Sequence, residues 1–284
     1  MKLAVSNLSI PNEVEDRALQ RFKSLGVDGI EVALSRIASW ADLTPKMVSS
    51  YADRLNGLGL ATPSLQAIYF GLEGASLLAE ESAFEPIIER TKLVAELGAL
   101  IQARTAVFGA PKLRQRNGLS KDAAVEISAS RLDQLTEICA RNGIVLAMEP
   151  VPEAYGGDFL AQWRDLANVV NLIRNAYFRL HLDIGCVHLG GDDIIEAIRE
   201  GREILAHYHI SEPNLDGFEA CILDHAAAGA ALRSVCWSNW VAIEMRERSN
   251  NPIAAIETAI ETARRAYLQE SAATMSPERK SRTE

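Results

Sequence analysis

Eight times along this chain a short apolar run gives way to a stretch with apolar residues at helical spacing, and the order never breaks. The runs are Leu3–Ser6, Gly29–Leu34, Leu60–Ile68, Ala103–Phe108, Ile144–Glu149, Phe178–Asp183, Ala206–Ser211 and Trp240–Glu244. After the first run, Val14, Ala18, Leu19, Phe22 and Leu25 place one apolar stripe on a helix that Gly26 ends. Thr44 before Pro45 reads as a helix start, and Ser120 opens a long helical pattern that Gly143 closes. Consecutive parallel strands need a crossover and a helix supplies it, so this alternation calls for an α/β fold with a parallel sheet. Eight units favour closure into a single-domain (β/α)8 TIM barrel over residues 1–268. The length of 284 residues, long for an ordinary domain, suits that architecture. Residues 269–284 are polar and are expected to form a disordered tail.

Composition removes several function classes. Lys and Arg number 29 against 38 Asp and Glu, and the net charge of −9 repels a phosphate backbone, so no nucleic-acid partner is expected. No apolar run approaches the roughly 20 residues of a membrane helix, so no membrane association is expected. Cys139, Cys186, Cys221 and Cys236 form no C-x-x-C pair, and Met1–Ser6 runs straight into a strand pattern, so no secretory leader is expected. Reduced thiols in a cytoplasmic protein are the expectation.

In such a barrel the chemistry gathers where strands end and the following loops begin. Glu149 closes the fifth run, Asp183 the sixth and Glu244 the eighth, and His209 lies near the end of the seventh. Period-two alternation puts Ala147 and Val145 on the face of Glu149, His207 and Ser211 on that of His209, and Ala242 on that of Glu244. Carboxylates converging at one mouth repel each other, and a cation is the natural compensation. Three carboxylates and one imidazole suit Mn²⁺, Mg²⁺ or Co²⁺, with Zn²⁺ also compatible. Glu149, Asp183, His209 and Glu244 are therefore the candidate metal ligands.

Other residues carry weaker signals. His181 and His207 fall one layer below the ligands, as core or supporting histidines. Glu31, on the second run, suits either a hydrogen bond inside the barrel or a pocket contact. Lys112-Leu113-Arg114-Gln115-Arg116 is the only concentrated basic run near the predicted mouth, and Arg246 lies two residues beyond Glu244 as an anion contact. His225 sits in the loop after the seventh run, while Tyr69, Phe70 and Trp163 offer either pocket walls or core packing. Gly156-Gly157-Asp158 lacks the neighbours of a phosphate-binding fingerprint.

Taken in order, Gly26-Val27-Asp28-Gly29-Ile30-Glu31, Met148-Glu149-Pro150, Leu182-Asp183-Ile184-Gly185, His207-Tyr208-His209-Ile210 and Val241-Ala242-Ile243-Glu244 resemble the xylose-isomerase-like superfamily of metal-dependent sugar barrels. The spacing is most similar to the ketose 3-epimerases that act on D-tagatose and D-psicose. That resemblance implies one divalent metal, manganese by preference, on Glu149, Asp183, His209 and Glu244. It makes Glu149 and Glu244 the acid/base pair of a proton transfer through an enediolate, on a small carbohydrate, in a homodimer or homotetramer. The chain departs from the pattern at Cys186, where those enzymes place a substrate histidine, at Tyr155 in place of a glutamate, and at Leu215 in place of an arginine. His188, Arg246, Tyr155 and Glu212 are the candidate substrate contacts, His188 as a replacement for the missing histidine. An inosose-type dehydratase shares the barrel and the metal, and a non-catalytic metal- or sugar-binding barrel is the reading of another class. Repair nucleases of the endonuclease IV type need more histidines than the five present and a basic face.

Overall fold

A computed structural model describes residues 1–268, so the tail expected over 269–284 lies outside the described residues. The strands are β1 (Lys2–Ser6), β2 (Gly29–Glu31), β3 (Ser64–Leu65), β4 (Thr105–Phe108), β5 (Val145–Met148), β6 (Phe178–Asp183), β7 (Leu205–Ile210) and β8 (Trp240–Ile243). All pair in parallel in the order β2-β1-β8-β7-β6-β5-β4-β3. Single bridges from Gly29 to Ala61 and from Val32 to Leu65 join the two ends, which nearly closes the barrel. The predicted TIM barrel is thus the observed fold.

Helices α1 (Asp16–Ser24), α2 (Pro45–Gly57), α3 (Glu81–Leu100), α4 (Lys121–Ala140), α5 (Trp163–Ile173), α6 (Ile184–Leu189), α7 (Ile194–Gly201), α8 (His225–Ser234) and α9 (Pro252–Ala263) surround it. Their starts follow the cap chemistry: Thr44 accepts from the Met47 amide at 3.3 Å and Ser120 from that of Ala123 at 3.2 Å. The stripe of α1 buries Leu19 and Phe22 against the barrel, where such a side chain contributes about 1.5–3 kcal/mol.

Two elements depart from the sequence pattern. The Leu60–Ile68 run yields only a two-residue strand, because Pro63 has no amide to give a ladder and Ala67 turns left-handed at φ 50°. The sixth strand passes straight into the short helix α6, ahead of the longer α7. Asp183 is the cause: its Oδ1 accepts from the Cys186 amide at 2.6 Å and starts that short helix.

Candidate active site

Backbone register brings the four strand-end residues to one mouth. Asp183 pairs with His209 across β6 and β7, and His209 with Ala242 across β7 and β8. The Glu149 amide donates to the Phe108 carbonyl at 3.1 Å and the Glu244 amide to that of Ile210 at 3.0 Å, which fixes both glutamates just past their strands. His209 Nδ1 stands 3.0 Å from Glu244 Oε2 and 3.8 Å from Asp183 Oδ2. Ligand atoms of Glu149, Asp183 and His209 all lie within 4.8 Å of one another.

The carboxylates are partly tied and partly open. Asp183 Oδ1 accepts from the Cys186 amide and, at 2.8 Å, from Ser211 Oγ. Asp183 Oδ2 is buried with no partner among the described residues. The Cys186 thiol donates to Glu149 Oε1 at 3.3 Å. Burial first, then the carboxylates of Asp183 and Glu244, push the Glu149 carboxyl up to about 8; burial and Glu244 push Asp183 up to about 6. Like charges converge here, an acceptor faces them unpaired, and the donors are hard oxygens with one imidazole. That donor set fits a divalent cation.

Beneath this layer sits Glu31, fully buried. Its Oε1 lies 2.7 Å from His207 Nε2 and accepts from Ser64 Oγ at 2.7 Å, while Oε2 lies 2.8 Å from His209 Nε2. Burial alone would raise its pKa, but the two imidazoles overcome that and hold the carboxyl well below its usual value. Burial pulls His209 down, yet Glu31 and Glu244 together lift it well above an ordinary histidine. Of the two readings open for Glu31, the structure shows the one inside the barrel. A carboxylate on Nε2 leaves Nδ1 facing the mouth, the orientation a metal-ligating imidazole needs. His181 packs edge-on to His209 at 4.2 Å between ring centroids and lies below the ligands with His207, as expected. The Gln66 amide, oriented by its partners, donates to Glu244 Oε1 at 2.8 Å and Glu31 Oε2 at 3.2 Å.

In front of Glu149, His209 and Glu244 opens a cavity of about 550 Å³ toward the loops after β3 and β4, reaching Tyr69, Phe70 and Lys112. Tyr155 lines no part of this cavity; it lies near Asp183 and Cys186, its hydroxyl accepting from the Asn214 amide and pushed up to about 12, chiefly by burial. Arg246 is exposed near Tyr155, its amide bound to the Leu215 carbonyl at 2.9 Å.

The other two expected substrate contacts line no part of the cavity either. His188 is exposed on α6 and lines no part of this cavity. Two residues on a helix differ by about 200° in direction, so with Cys186 turned inward His188 turns out. Glu212 is buried with both oxygens engaged, Oε1 at 2.8 Å from His225 Nε2 and Oε2 accepting from the Ile222 amide at 3.0 Å. His225 continues to the Tyr267 hydroxyl at 2.9 Å, so this chain ties the β7 loop to the C-terminal end of the barrel.

The basic run also resolves differently from a substrate anion site. Arg116 is absorbed by Asp158, through its amide at 3.0 Å to Oδ1 and its Nε at 2.8 Å to the carbonyl. Arg114 is fully buried, and its Nη2 donates to the Glu149 carbonyl at 2.7 Å. Only Lys112 of the run's cations lines the cavity. Trp163 is core packing at the start of α5. Ser211 was legible on the inward face of its strand, whereas Gln66 carried no signal because β3 is too short to display a period.

Gly109 is a sensitive position. A Cβ there would stand 2.6 Å from Glu149 Oε2, so Gly109→Ala must move that carboxylate. Metal titration is expected to show affinity reduced about 10–100-fold, the range seen when a ligand's support is disturbed, with the metal-free melting temperature unchanged. Equal affinity in both proteins would show that Glu149 is not held as a ligand.

The chain belongs to the xylose isomerase-like TIM barrel family, whose sequence profile matches residues 19–266. Among solved structures it is similar to a 3-keto-D-glucoside 4-epimerase from E. coli, at 18% identity and TM-score 0.76 over 93% of this chain and 99% of that one. A D-psicose 3-epimerase with D-tagatose from Clostridium cellulolyticum H10 matches at 14% identity and TM-score 0.78, over 94% and 99% of the two chains. A third is the IOLI protein with a binding zinc atom, at 17% identity and TM-score 0.70 over 95% and 100%. These likenesses show the fold. No curated protein sequence matches the chain. No described helix is long and apolar enough to cross a membrane.

Proposed function

We propose that the chain is a divalent-metal-dependent sugar epimerase or isomerase that moves a proton next to a carbonyl, with Glu149 and Glu244 as the acid/base pair. The observation that carries this reading is the placement of two glutamates from separate strands, both at the cavity and both beside Asp183 and His209. The names of the similar structures, two sugar epimerases among them, support the same class. Glu149, Asp183, His209 and Glu244 would hold the ion, which supplies Lewis acidity to adjacent sugar oxygens and acidifies the C–H between them.

The side chains divide the remaining work. Glu149 takes or returns a proton at Oε2, since Oε1 is occupied by the Cys186 thiol. Glu244, steadied by Gln66 and His209, serves the other face. Arg114 fixes the Glu149 backbone, and Tyr155, with Arg246 beside it, is kept as a substrate contact on its nearness to Asp183 and Cys186 rather than on the cavity lining. His188 and Glu212 have no part in this assignment.

Metal binding tests the site before any substrate is known. Manganese at 100 times its Kd adds about 2.7 kcal/mol to stability, which raises the melting temperature by roughly 5–10 °C in a chain of this size. The ion must displace protons from carboxyls raised to about 8 at Glu149 and about 6 at Asp183. Affinity is therefore expected to rise from pH 6 to pH 8 in calorimetric titrations. A melting temperature that ignores manganese, zinc, magnesium and cobalt alike would contradict the metal assignment.

A further inference from the structure

The cavity in front of the carboxylates is chemically two-sided. Its inner end is the Glu149, His209 and Glu244 cluster; its outer end is walled by Ile68, Phe70 and Leu72 after β3 and by Pro111 and Leu113 after β4. The charged side chains lining that outer end, Glu73 and Lys112, are both exposed at its edge. Phe70 is 69% exposed, yet its backbone is fixed. Trp40 Nε1 donates to its carbonyl at 2.8 Å and Arg90 Nη1 at 3.4 Å, with the Arg90 guanidinium stacked 3.8 Å from the Trp40 ring. Left-handed residues on either side, Ala67 at φ 50° and Gly71 at φ 73°, set the turn that presents it. An apolar ring is thus held open to water beside a polar reaction centre, in a cavity of ordinary ligand size.

A free monosaccharide carries oxygen on every carbon. Pressed against the outer wall, its far hydroxyls would lose water without gaining partners, which costs affinity. A ligand polar at one end and apolar at the other meets both surfaces.

We propose that the site takes an apolar glycoside: a sugar ring seated at the carboxylates, with an aryl or alkyl substituent received between Phe70, Leu72 and the Pro111–Leu113 wall. The inference rests on the sugar reading of the site and specifies its substrate class. A glycoside's anomeric carbon is locked as an acetal, so the carbonyl beside which the proton leaves is a ring ketone at C2, C3 or C4. Proton removal from the neighbouring carbon and return to its opposite face changes one configuration and leaves the glycosidic bond intact.

Matched phenyl and methyl glycosides of glucose, galactose and mannose, titrated calorimetrically into the manganese-loaded protein, test this without turnover. In at least one pair the phenyl compound is expected to bind about tenfold more tightly, the scale of one buried aromatic contact. Phe70→Ala or Leu72→Ala, both on a surface loop, is expected to shrink that preference to less than about threefold. Absence of a phenyl preference in all three pairs, or a preference that survives both substitutions, overturns the proposal. Deuterium exchange on free ketoses with no phenyl preference would leave the proton-transfer reading standing and remove the glycoside class. The converse pattern would separate the two in the other direction.

Discussion

Glu149→Gln and Glu244→Gln are each expected to lower turnover by about 10²–10⁴-fold at saturating manganese, the range for loss of a positioned proton donor or acceptor. Glutamine preserves shape and one oxygen for a metal, so most of the loss should fall in kcat. The fold should survive. Glu149 sits among like charges that favour its neutral form, so without metal Glu149→Gln is expected to melt no lower than the parent protein. Steady-state kinetics with circular dichroism on the same samples makes the comparison. A Gln variant with undiminished kcat would remove that residue from the acid/base pair.

The second large effect concerns Glu31, which lines no part of the cavity and acts through His209. Glu31→Leu leaves His207 Nε2, His209 Nε2 and Ser64 Oγ without their shared acceptor in a dry interior. Breaking a buried charged pair from one side costs about 3–5 kcal/mol, which urea denaturation would register as a lowered midpoint at unchanged slope. Glu31→Gln keeps the volume but no longer holds His209 in a fixed tautomer. Manganese affinity is expected to fall about 10–100-fold there, with a smaller loss of stability. Metal affinity equal to the parent in both variants would make Glu31 a structural residue only.

What the sequence made legible follows the physics of each element. Long helices with cap residues and apolar stripes, and strands with buried faces, display their period over many residues. Strand ends then locate Glu149, Asp183, His209 and Glu244 without coordinates. The region around β3 is different: Pro63 and the left-handed Ala67 break the pattern, so Gln66 was invisible. Helix α6 was also hidden, because six residues are too few to show a period, and its direction is what separates Cys186 from His188. Charge runs mislead where a chain folds back on itself. Arg114 and Arg116 read as one basic patch, yet one is a buried brace for Glu149 and the other a partner of Asp158. Glu212 next to the inward-facing Ser211 points instead toward His225, a pairing only the folded β7 loop creates.

The central claim is proton exchange at carbon, and NMR detection of deuterium uptake tests it most directly. The manganese-loaded protein would be incubated in D₂O with free ketoses and with keto-glycosides carrying a ring ketone. The expected result is deuterium at a carbon next to the carbonyl of at least one compound, lost in Glu149→Gln and in Glu244→Gln. Release of water with that exchange would assign the dehydratase reaction to the same residues. No deuterium uptake by any compound in a metal-saturated protein, or uptake undiminished in both Gln variants, would contradict the account.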